Sequence, residues 1–146
     1  MKSYTDIEQS KKLAEILPIE SADMRYGYIA PYDYSDRMYD GGYDEVPYPK
    51  DFLKKNPNFS ENEYDGELPA WSITALMSVF PKEEGSCTSI SFGYYDANGN
   101  YINSWLCCYE KEGESTDDYI IETILADNPV DCCYEMILKL KEQNLL

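Results

Sequence analysis

The sequence predicts an α+β fold: a three-stranded antiparallel sheet covered by a C-terminal helix, preceded by N-terminal helices and a long Tyr/Asp-rich loop. Three observations lead there. Apolar residues recur at helical spacing at about 5–17 and again from Leu68 to Pro81; after Gly85 they alternate, with Ile90, Phe92 and Tyr94 set against Ser89, Ser91 and Gly93; and from Asn128 the helical period returns. A sheet with one apolar face and a helix with one apolar stripe bury both by stacking in layers.

Each element has its own signal. Thr5 followed three residues later by Glu8 is a capping-box spacing, and Ile7, Ala14 and Leu17, with Leu13 and Ile16 beside them, give an apolar helical face that Pro18 ends. A first helix is expected at about 5–17, then a short helical turn from Ser21 to Tyr26. The stretch PKDFLKKNP, Pro49 to Pro57, suits one short helix, and ENEYDGEL leads into the next element. In LPAWSITALMSVFP, Leu68 to Pro81, Ser72 caps, Trp71 and Leu76 form a hydrophobic staple, and Ile73, Leu76, Met77 and Phe80 recur at helical spacing.

Two strands follow, joined at DANGN, where Asn98-Gly99 supplies the left-handed geometry of a tight turn. DANGN is not a calcium loop, because its glycine falls at the fourth position instead of the sixth. EKEGESTDD is an acidic connector, and YIIETILA, Tyr119 to Ala126, is the third strand. Asn128-Pro129-Val130-Asp131 sets a cap, a proline at the first helical position and an acid in the first turn. The helix of about 129–143 carries Val130, Cys133, Tyr134, Ile137 and Leu140 on one stripe, with Glu135 and Lys139 paired outside. The sheet and this helix occupy about 86–144 of a single domain, 1–146.

Between Tyr26 and Pro49 no helical or strand period persists. The segment holds seven of the 15 tyrosines and five acidic residues against one basic residue, Arg37, and glycine and proline punctuate it. An ordinary surface loop is one reading. A recognition surface is the other, since tyrosine supplies contact area at low entropy cost: Tyr32, Tyr34, Tyr39 and Tyr43 are its candidate contacts, and Asp33, Asp36, Asp40 and Asp44 its candidate steering charges.

Charge and chemistry narrow the function. The chain has 28 acidic residues, 12 Lys plus Arg and no histidine, a formal net charge of -16. That charge repels nucleic-acid phosphates and anionic membrane surfaces, so a protein partner, a basic one best of all, is expected, with no direct nucleic acid and no membrane. The usual general acid/base and the commonest metal ligand are both missing. No phosphate loop or nucleophile elbow occurs. The cysteines, Cys87, Cys107, Cys108, Cys132 and Cys133, are odd in number; neighbours on a strand face opposite ways and neighbours on a helix diverge, so neither adjacent pair suits one metal ion. They read as reduced thiols. No cofactor, no metal site and no catalytic residues are expected. The N-terminus lacks an apolar leader core, and the chain reads as cytoplasmic.

The segments ESADMRY, LPAWSITALMSVFP, YYDANGNYINSW and DNPVDCCYEMILKLKEQNLL resemble an uncharacterised family of small acidic proteins of gut bacteria and their prophages. There a Leu-Pro-(Ala/Cys)-Trp-(Ser/Thr) start, a hairpin and an Asn-Pro-(Ile/Val)-Asp-(Ala/Cys) helix start follow in this order. The resemblance implies a shared fold and a mobile-element setting, and it brings no activity with it. The expected function is that of a non-enzymatic interaction or accessory protein. An acidic mimic of nucleic acid, inhibiting a DNA- or RNA-binding protein, and a carboxylate-dependent enzyme are the alternatives.

Overall fold

Asp6, one residue later than the Thr5–Glu8 spacing suggests, starts the first helix. In the computed structural model, which describes residues 1–34, 37–56, 65–113 and 119–146, the chain forms two compact units. One is Thr5–Ser72, and the other combines Met1–Tyr4 with Ile73–Leu146.

In the first unit, α1 (Ile7–Ala14) is capped by Asp6, whose carboxylate accepts from the Gln9 N–H at 2.9 Å while the Gln9 side chain accepts from the Asp6 N–H at 3.2 Å. Thr5 is thereby released from capping and lies buried. Its hydroxyl is 2.8 Å from Ser10 Oγ and accepts from the Trp71 N–H at 3.1 Å, its N–H donates to the Trp71 carbonyl at 2.9 Å, and its carbonyl accepts from Tyr26 Oη at 2.8 Å. A 3-10 turn at Ile19–Ser21 precedes the expected one, because the chain is extended from Met24 onward.

The segment without an apparent period is largely extended. β1 (Met24–Ile29), β2 (Tyr32–Tyr34), β3 (Arg37–Tyr39), β4 (Gly42–Tyr43) and β5 (Tyr48–Pro49) lie within or across it, followed by α2 (Phe52–Lys55) and β6 (Gly66–Ala70). β1 is central, pairing antiparallel with β6 on one side and with β4 and β5 on the other. β6 takes up Leu68-Pro69-Ala70, assigned by sequence to the run-up of a helix; Pro69 is tolerated because β6 is an edge strand among the described residues. Leu13, Leu17, Ala22, Tyr26, Leu68, Ala70 and Trp71 are among the buried apolar side chains of this unit. The Trp71 indole donates to Ser21 Oγ at 2.9 Å, which satisfies the one polar atom of that large anchor.

The second unit holds the predicted α+β core. α3 (Ile73–Ser78) follows Ser72, and β7 (Ser86–Tyr95), β8 (Tyr101–Glu112) and β9 (Tyr119–Ala126) form the antiparallel sheet β7-β8-β9. The β7–β8 turn is the expected one: the Asp96 carboxylate accepts from the Asn98 and Asn100 N–H groups at 2.9 and 2.8 Å, and Gly99 takes φ +81°. A bulge shifts the register between Phe92 and Tyr94. Gly93 allows it, with φ +74° and the Tyr101 hydroxyl so close that an added Cβ would sit 1.9 Å from it.

α4 (Pro129–Glu142) begins as predicted, the Asn128 side chain accepting from the Asp131 N–H at 2.9 Å. Val130, Cys133, Ile137 and Leu140 are buried as the stripe requires, and Cys132 and Met136 join them, while Tyr134 is only half-buried. The apolar face is therefore broader than the sequence stripe. Lys139 forms its ion pair with Glu122 of β9 instead of the expected Glu135. A partner across the sheet offers a half-buried setting that an exposed i,i+4 neighbour lacks.

Candidate recognition surface

Period-two alternation places tyrosine rings on one face of a ribbon. β2 and β3 pair antiparallel with Tyr32 opposite Tyr39, Asp33 opposite Met38 and Tyr34 opposite Arg37; β1 and β4 pair with Tyr28 opposite Tyr43. The pairing resumes in the same register on either side of Pro31 and Gly41. Proline interrupts the hydrogen bonding there, and Gly41, at φ +79°, lets the backbone turn so close that an added Cβ would lie 2.7 Å from the Pro31 ring. Two rungs result. The Tyr28 and Tyr43 rings stand 5.0 Å apart and tilted 51°, and the Tyr32 and Tyr39 rings 5.4 Å apart and tilted 31°, both within the range at which aromatic pairs attract.

The lower rung is anchored. Tyr28 and Tyr43 are half-buried, and the Lys11 ammonium lies 5.9 Å from the centre of the Tyr43 ring. Glu8, hydrogen-bonded to that ammonium, holds the Lys11 pKa above its usual value. Asp65 ties down the start of the interruption, accepting from the Ala30 N–H at 2.7 Å and donating its own N–H to the Tyr28 carbonyl at 2.8 Å. The upper rung is open, with Tyr32 49% and Tyr39 38% exposed, and on the reverse face Met38 is 77% exposed beside Asp33.

The eight sequence candidates thus divide. Tyr32 and Tyr39 come together, Tyr43 belongs to the lower rung, and Asp33 and Asp40 are exposed along the ribbon. Asp44 is half-buried at its base, its N–H donating to the Gly27 carbonyl at 2.9 Å. Tyr34 pairs with Arg37 along the backbone, while its side chain and the whole of Asp36 lie outside the described residues. Tyr28, Lys11 and Met38 were missed. The spacing Tyr26, Tyr28, Tyr32, Tyr34 is a period of two broken only at Ala30, and it was the signal for Tyr28.

No family model, curated protein or solved structure matches the chain. What the ladder can do follows from its own chemistry: flat amphipathic rings held in pairs, edged by carboxylates.

The cysteines make a different arrangement. Cys107, Cys132 and Cys133 are buried where β8 meets α4, Cys108 is half-buried and Cys87 exposed, and all five are free thiols. Cys133 donates to Cys107, which lowers the Cys107 pKa and raises that of Cys133, and burial pushes Cys132 up to about 11. Cys132 Sγ is 3.2 Å from the Trp105 carbonyl and Cys133 Sγ 3.8 Å from Met77 Sδ. Cys107, Cys132 and Cys133 are thus packed core side chains. Among the described residues no group of three or more His, Cys, Asp or Glu side chains is placed to hold a metal ion, and no helix is long and apolar enough to cross a membrane.

Proposed function

We propose that this is a non-enzymatic interaction protein that receives a basic protein partner on the tyrosine ladder. The supporting observation is the open Tyr32–Tyr39 rung, two aromatic side chains already ordered against each other and flanked by the exposed Asp33 and Asp40. Rings fixed before binding lose little entropy on contact, and tyrosine is enriched among residues that dominate interface energies. The carboxylates and the net charge of -16 draw a cationic partner in and set its orientation. The resemblance to small acidic proteins of gut bacteria and their prophages supports an accessory role in the cytoplasm of a host carrying a mobile element.

A pull-down from the native host, read by mass spectrometry, identifies the partner, and the Tyr32→Ala/Tyr39→Ala double variant tests the surface. Point substitutions are the suitable perturbation, because deleting the whole segment would remove part of β1 from the middle of its sheet. Loss of about 2 kcal/mol or more of binding energy is expected, together with slower association at higher salt. Unchanged affinity of the double variant would overturn the proposal.

A further inference from the structure

Sheet edges differ in how they are protected. An edge strand presents unpaired N–H and C=O groups that will accept another strand, and proteins blunt such edges with short length, charge or proline. β6 carries Glu67 and Pro69, β4 and β5 are two residues each, β2 and β3 are three residues with Asp33 and Arg37, and β9 carries the inward-pointing Glu122. β7 has none of these devices. Its ten residues, SCTSISFGYY, contain no charge and no proline in a chain with 28 acidic and 12 basic residues. Among the described residues β8 is the one strand that pairs with β7, the Ser86 N–H at its start being taken by the Glu83 carbonyl at 3.0 Å; β7 runs in unbroken register from Ser86 to Phe92, and Cys87, Ser89, Ser91 and Phe92 are exposed.

We propose that this edge docks β7 of a second copy of the chain, forming an antiparallel six-stranded sheet across a two-fold axis. A two-fold at Ser89 keeps the faces of both sheets aligned, since antiparallel neighbours on opposite strands share a face. Thr88 then stands opposite Ile90 of the second copy, Ser86 opposite its Phe92 and Cys87 opposite its Ser91. Every such pair is uncharged and small or β-branched next to polar or aromatic, which suits pleated packing. Charge selects the occupant. Two chains of net charge -16 repel each other, and the uncharged strand is a place where they meet without opposing carboxylates. The same strand offers nothing to attract the basic partner of the ladder, so the two surfaces act independently.

Association through β7 therefore strengthens as salt rises, because screening removes long-range repulsion and the strand has no ion pairs to weaken. The ladder's partner shows the reverse dependence. Sedimentation equilibrium of the full chain across protein and salt concentration reads the mass directly. The expected result is a monomer of 16.9 kDa converting to a species of twice that mass, more readily at high salt, with β7 amides exchanging more slowly as protein concentration rises. Ser89→Lys should raise Kd several-fold by setting like charges face to face at the axis. It does so although it lowers the net repulsion between the chains, which marks the effect as local. Thr123→Lys on the opposite edge strand should leave Kd no higher. A monomer under all conditions, a dimer weakened by salt, or a dimer indifferent to Ser89→Lys would each overturn the proposal.

Discussion

Tyr109→Phe should stabilise the protein. Tyr109 is fully buried in β8 directly opposite Thr88 of β7, and its hydroxyl and Thr88 Oγ1 are buried without a hydrogen-bond partner among the described residues. A hydroxyl removed from water and left unpaired costs about 1–3 kcal/mol, while the ring contributes the same packing with or without it. Phenylalanine keeps the ring and removes the penalty. The expected gain is therefore about 1–3 kcal/mol, and each kcal/mol moves the midpoint of thermal unfolding by roughly 2–4 °C in a chain of this size. Urea unfolding under reducing conditions measures it, with the midpoint rising at unchanged slope, because the surface exposed on unfolding stays the same. A loss of stability in Tyr109→Phe would refute the reasoning, since it would mean the hydroxyl makes a bond that its surroundings do not reveal.

Two further outcomes follow from the electrostatics. Hydrogen bonds from Lys139 and Gln143 hold the Glu122 carboxyl below its usual 4.5, so its stabilising contribution is present above that value and is lost as pH falls through the lower folded one. Glu122→Gln should be the less stable protein in urea at about pH 7, with the gap to the parent closing in acid; a gap that persists in acid would contradict this. Thiol reactivity should follow burial, so native-state alkylation mapped by mass spectrometry should modify exposed Cys87 first. Cys107, Cys132 and Cys133 should react only after unfolding, Cys132 being doubly protected by burial and a pKa of about 11.

The second half of the chain was legible because its signals are local. Asn128 and Pro129 start α4 by their own side-chain chemistry, Asn98-Gly99 turns β7 into β8, and the alternation around Ile90 needs no distant partner to be seen. In the first half the decisive contacts are remote. Thr5 leaves its capping position because Trp71 and Tyr26 claim its polar groups, and nothing near Thr5 announces that. The extended run from Met24 was hidden by Gly27, Pro31 and Gly41, residues that ordinarily signal loops and here serve a central strand and its interruption. The candidate surface was half visible. Concentrated tyrosine and aspartate singled out the stretch that carries the paired rings, but the division into rungs depends on cross-strand register, which composition does not carry.

The bonds between Thr5 and Trp71 also bear on how this protein is assembled from its parts. They bring the two ends of the Thr5–Ser72 unit side by side, across 66 residues of chain, and in the other unit the Ile73 N–H reaches the Ser3 carbonyl at 3.4 Å. Closing a span of that length costs about 4 kcal/mol of chain entropy, and the unit's own core must repay it. During synthesis the N-terminal helix must wait for Trp71 to leave the ribosome before its first turn is enclosed. Adjacent ends also give the unit the geometry of a cassette, a segment that begins and finishes at one place and is threaded between residues 4 and 73 of the other. Domains built that way tolerate transplantation and circular permutation, so the ladder-bearing half has the geometry to be exchanged between chains as a whole while the sheet and its C-terminal helix stay unchanged.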